Sequence, residues 1–120
     1  MYQTILVKED VENGRKILGR LEKQKLVRVT AAFWFHFEEE DQWKLVIVSP
    51  DVSDLGPKQL YTTISLLLHE MANDPREPIQ FPLRAIRLVS PDSLLYKTVK
   101  QRTGPAREGP ALDAYIYKVA

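Results

Sequence analysis

Three features predict a single α+β (or mixed α/β) domain over residues 1–120. Apolar residues recur at helical spacing in two separate stretches. Between them, apolar and polar residues alternate with period two. The string Val-Ser-Pro-Asp stands at both 48–51 and 89–92, where it stops a strand and opens the next element. At 120 residues there is room for one core, and 44% hydrophobic against 28% charged residues is an ordinary balance for such a domain.

The first element is a helix from Glu9 to Gln24. Val11, Ile17, Leu18 and Leu21 share a stripe, while Arg15, Lys16, Arg20 and Lys23 fall mostly on the wet side. Gly14 and Gly19 each cost about 1 kcal/mol against alanine inside a helix, and close approach to a sheet beneath explains both. Val27 to Phe37 is the clearest strand. Val27, Val29, Ala31, Phe33, Phe35 and Phe37 alternate with Arg28, Thr30, Ala32, Trp34, His36 and Glu38, and the first set reads as the core face. Glu39 to Gln42 makes a polar turn, and Trp43 to Val48 returns as the second strand of an antiparallel hairpin.

Residues 52–57 read as a loop whose Pro57 suits a first helical turn. Leu60, Ile64, Leu67, Leu68 and Met71 then mark a helix ending at 71–73, and Pro75, Pro78 and Pro82 mark extended coil. Leu83 to Val89 reads as a third strand. A helix comes next, with Ser90 as its cap, Pro91 in its first turn, and Leu95 and Val99 on its buried side. A competing reading makes 95–102 a strand paired with the last one. Two glycines and two prolines make Thr103 to Pro110 a loop. Leu112 to Val119 is the terminal strand, with Asp113, Tyr115 and Tyr117 on one face and Leu112, Ala114 and Ile116 on the other. The order is α-β-β-α-β-α-β, with a sheet of about four strands carrying helices.

Several chemistries are struck off. Without cysteine the chain holds no disulfide, zinc-thiolate site, iron–sulfur cluster or thiol nucleophile. No apolar run, that of Ile64 to Leu68 included, approaches the roughly 20 residues that span a bilayer, so no membrane association is expected. The N-terminal residues lack a signal peptide's basic-then-apolar pattern, which makes a cytoplasmic location the expectation. His69-Glu70 fails as a zincin motif because position 73 is Asn73. No Gly-x-Ser-x-Gly elbow is present, and Gly104 to Gly109 has proline where a phosphate loop needs amide donors. Asp51, Asp92 and Asp113 are the carboxylates from which a metal-dependent hydrolase or nuclease would be built, although turn and cap chemistry explains the first two equally well. No catalytic residue, metal site or cofactor is assigned, and the balance leans away from an enzyme.

Charge is segmented: residues 1–35 carry +3, 36–75 carry −6, 76–107 carry +5 and 108–120 carry −1, within a net +1. Such polarity suits docking on an oppositely charged partner, including another copy, unless the segments interleave in space and cancel. Arg28, Trp34, His36, Arg87, Tyr115 and Tyr117 are the candidate binding residues. On an open sheet face they would form an aromatic platform with flanking arginines, the arrangement that stacks single-stranded nucleic acid. Under helices they would be packing residues instead.

Five strings resemble a group of small uncharacterised bacterial proteins: Ala31-Ala32-Phe33-Trp34-Phe35, Trp43 to Pro50, Gly56-Pro57 with Tyr61, Val89 to Asp92, and Asp113 to Lys118. The resemblance covers most of the chain. It implies a bacterial, cytoplasmic, stand-alone domain and brings no activity, cofactor or site. The expected function is non-catalytic: protein–protein interaction or self-association as a homodimer, paired through a sheet edge. Nucleic-acid binding and metal-dependent hydrolysis are the alternatives.

Overall fold

Helix α1 (Lys8–Lys23) opens the described chain, which in this computed structural model comprises residues 6–111 and 114–119. Its first turn carries Glu9 and Asp10 and its last turn Arg20 and Lys23, each sign opposing the local end of the helix dipole. Ile17, Leu18 and Leu21 are buried, as their spacing predicts. Strands β1 (Ala31–Phe37) and β2 (Gln42–Val48) form the expected antiparallel hairpin, in register from Ala31 opposite Val48 to Phe37 opposite Gln42. The predicted strand is longer than the observed one. The Arg28 amide donates to the Asp51 carboxylate at 2.9 Å rather than to a neighbouring strand, so the chain before Thr30 stays outside the ladder.

Beyond β2 the predicted loop contains one helical turn, α2 (Asp51–Asp54). Helix α3 (Pro57–Ala72) comes next with proline in its first turn and buries Leu60, Ile64, Leu67, Leu68 and Met71, as predicted. A 3₁₀ turn at Leu83–Ala85 takes the first part of the predicted third strand, leaving β3 (Ile86–Val89) parallel to β2. Helix α4 (Leu94–Thr103) replaces the competing strand reading of 95–102. Its cap is Ser93, whose side chain accepts from the Tyr96 amide at 3.2 Å; Ser90 instead closes a turn on Asp92.

The last two described strands are β4 (Gly109–Ala111) and β5 (Ala114–Val119), antiparallel to each other, with β5 also antiparallel to β1. The sheet thus has five described strands in the order β3-β2-β1-β5-β4, not four. Strand β4 hides in the predicted loop because its Pro110 lies on a sheet edge, where a missing amide donor is tolerated. The predicted positions Leu112 and Asp113 lie outside the described residues.

Both sheet faces are covered, unequally. Helices α1 and α3 pack on Ala32, Trp34, Leu45, Ile47, Ile86 and Leu88 to make the larger core. Helix α4 covers Ala31, Phe33, Val46, Val48, Ile116 and Val119 with Tyr96 and Val99. One alternating set therefore does not form the core alone: Ala31 to Trp34 are all buried. The result is a single α+β domain in three layers. No helix among the described residues is long and apolar enough to cross a membrane.

Strand β5 slips register against β1 between Ala32 and Phe33, where Ala32 faces Lys118 and Phe33 faces Ile116. Tyr117 is the extra residue of this bulge. A bulge re-aims side chains, and here Ile116 and Val119 are buried in the smaller core while Tyr117 and Lys118 both reach α1.

Candidate functional site

The six sequence-predicted binding residues do not share an open face. Trp34 is fully buried in the larger core. Its Nε1–H donates to the Tyr117 hydroxyl at 2.8 Å, and that hydroxyl donates to the Val11 carbonyl at 2.6 Å. Burial pushes the Tyr117 phenol well above its ordinary pKa, so it stays a neutral donor. Tyr115 packs edge-on to Tyr117 and donates to Glu108 at 2.7 Å. Arg15 also binds Glu108, and the two donors hold that carboxyl below its ordinary range. Trp34 and Tyr117 are thus the floor beneath α1, and the platform for stacking bases does not form.

The remaining three residues are scattered. Arg28 precedes the sheet, with Nε on Asp51 at 2.7 Å and Nη2 on Asp54 at 2.6 Å. Hydrogen bonds from the Arg28 backbone and side chain hold the Asp51 carboxyl below its ordinary pKa. His36 lies nearer the hairpin turn, its Nε2 3.0 Å from Asp41 Oδ1 and its ring against Trp43. Arg87 is on the opposite face from Trp34, because its neighbour Ile86 pairs with Leu45 and Leu45 with Trp34. Its guanidinium lies 4.7 Å over Phe37. Asp51 is committed to Arg28, and among the described residues no three His, Asp or Glu side chains gather as a metal site would need.

Helix α4 leaves the hairpin end of its face uncovered. A cleft of about 450 Å³ opens there, lined by Phe35, Phe37, Glu38, Glu40, Arg87 and Arg102. Its charges are turned on one another: Glu40 binds Lys44 at 2.9 Å and Arg87 at 3.4 Å, and both cations sit over the Phe37 ring. The Lys44 hydrogen bond, with lesser help from Arg87, keeps the Glu40 carboxyl ionised below its ordinary range.

Among the described residues, the outside of α3 carries few charges to be turned on one another. Leu66 is 67% exposed there. It lies on the rim of a groove of about 420 Å³ shared with Lys58, Tyr61, Thr62, Ser65 and Leu83. Over the 16 residues of α3 the only Lys, Arg, Asp or Glu are Lys58 and Glu70. The hydroxyls of Thr62 and Thr63 donate back to the carbonyls of Lys58 and Gln59 at 3.0 and 3.1 Å. Covering this face therefore strands neither hydroxyl proton. The sequence carries a signal for it. Leu66, Leu67 and Leu68 are consecutive, and at about 100° per residue they span more of a helix than one buried stripe holds.

The sheet edges offer less. Strand β4 is three residues long with a proline, and on β3 the outward Leu88 amide donates to the Tyr61 hydroxyl at 3.0 Å. Short, capped or proline-bearing edges resist pairing with another chain, so the edge expected to pair in a dimer has little template left. The chain shows no significant match to any family model, to any curated protein or to any solved structure.

Proposed function

We propose that this domain is a non-catalytic binding module that acts through protein–protein contact, using the outer face of α3. The observation that carries this reading is the exposure of Leu66 beside an apolar groove on a charge-poor helix. Single exposed leucines are ordinary on a protein surface. A leucine beside an apolar groove differs, because the neighbouring Thr62 and Thr63 hydroxyls already bond within the helix and need no new partner when that part of the face is dried. The bacterial, cytoplasmic setting implied by the resemblance is carried over as part of the proposal.

A photoreactive amino acid placed at Thr62 tests it in the cell that makes the protein, with the same group at the exposed Lys97 of α4 as control. The expected result is a covalent protein adduct at position 62 and none at 97. Absence of adducts at 62, or equal adducts at both, would overturn the proposal.

A further inference from the structure

We infer that the partner of the α3 face is a second copy of this chain, docked antiparallel about a twofold axis between Thr62 and Leu66. The inference rests on reading α3 as the contact surface, and three observations select the occupant. A twofold contact must be self-complementary, so projection and recess must both lie on one patch. Leu66 projects and the groove lined by Tyr61, Thr62 and Leu83 recedes immediately beside it.

The second observation is charge. Lys58, Thr62, Leu66 and Glu70 succeed one another at four-residue intervals, and all four are exposed. Side chains at that interval form one ridge, and interlocking two such ridges is the commonest way that helices pack. Turned antiparallel about its midpoint, the row sets Leu66 against Thr62 of the other copy and Lys58 against Glu70 of the other copy. Both ends of the contact then hold an opposite-charge pair, about 18 Å apart at about 1.5 Å of helix rise per residue. A parallel arrangement would set lysine against lysine.

The third observation is that the row leaves nothing else to satisfy. The Thr62 hydroxyl is bonded within its own helix. Glu70 already shares one oxygen with Arg20 at 3.0 Å, which leaves its other oxygen for Lys58 of the other copy. A single helix pair makes a small interface, so the association belongs in the micromolar range or weaker.

Sedimentation velocity across the micromolar range reads the outcome. The wild-type protein is expected to pass from monomer to dimer, and Leu66→Glu to remain monomeric. Lys58→Glu and Glu70→Lys are each expected to be monomeric, since each sets like charges opposite one another. Mixed in equal amounts, those two variants restore opposite charges at both ends and should recover the dimer. All three positions are exposed, so none of the substitutions disturbs the core, and circular dichroism is the check that each variant is folded.

A wild-type protein that stays monomeric overturns the inference, and so does a dimer that survives Leu66→Glu. Charge variants that dimerise singly, or fail to recover on mixing, overturn the antiparallel arrangement and the inference with it. Failure is distinguishable from failure of the contact surface itself: adducts with a different protein at position 62 would leave the surface standing and remove only the second copy.

Discussion

Gly14 and Gly19 lie on one helix, and their surroundings make opposite demands. A Cβ at Gly14 would collide with the Tyr117 hydroxyl and stand 3.1 Å from Trp34 Nε1. A Cβ at Gly19 would meet nothing within 4 Å. Gly14→Ala should therefore lose about 1–3 kcal/mol by overpacking, whereas Gly19→Ala should gain about 0.5–1 kcal/mol from helix propensity alone. Urea unfolding of the two variants checks both signs. Composition treats the two glycines alike, and the explanation by close approach holds only for Gly14. What separates them is the bulge at Tyr117, which no local pattern in β5 announces.

Asp51 offers a second test at the same scale. Its carboxyl, nearly buried, is lowered from an ordinary value of 3.8 by the Arg28 amide first and the Arg28 guanidinium second. A lowered folded-state pKa means that the unfolded chain takes up the proton first. The stabilisation is fully present above the ordinary value and is lost as pH falls below it toward the folded one. Wild-type stability should drop on acidification below about pH 4, and Asp51→Asn should flatten that part of the profile while lowering stability at neutral pH. Thermal melts at stepped pH make the comparison, with the change in slope between the two proteins as the readout.

At the scale of elements, the legible parts of the fold are those carried by period. The β1–β2 hairpin is legible from the alternation that runs through Val27 to Phe37 and from the polar turn at Glu39 to Gln42, and α3 from five apolar residues at helical spacing. Boundaries set by single hydrogen bonds are not legible. Ser90 and Ser93 both have cap chemistry in the sequence, yet only Ser93 reaches an amide of α4. Ser93→Ala should cost about 1 kcal/mol, the usual loss of a helix cap, and Ser90→Ala less. Chemical denaturation of the pair distinguishes them. The candidate binding residues illustrate the same limit. Alternation correctly puts Trp34 and His36 on one side of a strand, but the side Arg87 takes depends on the β2–β3 register. Register between parallel strands joined through a helix is a tertiary property. So is coverage: nothing in β1 says that α1 will lie over Trp34 while α3 leaves Leu66 outside.

For the whole molecule, the unequal layers predict where protection is concentrated. β1 is the middle strand, and Ala31 to Trp34 are buried from both sides. β4 is a three-residue edge. Native-state hydrogen exchange should find the slowest amides in β1 and β2 and rapid exchange in β4, because opening the latter disturbs little packing. Comparable protection across all five strands would mean that the sheet opens only as one unit.

The Tyr117–Val11 hydrogen bond joins residues 106 positions apart, and β5 is what closes the open side of β1. For a chain made from its N-terminus this fixes an order of events on the ribosome. When α1, β1 and β2 have emerged, the segment Ala31–Phe37, rich in Phe and carrying Trp34, still has one unpaired backbone edge. Such an edge is an aggregation template until it is filled. The domain's native form is therefore inaccessible to any nascent chain that has not yet released Tyr117, since only β5 supplies the second backbone partner of β1.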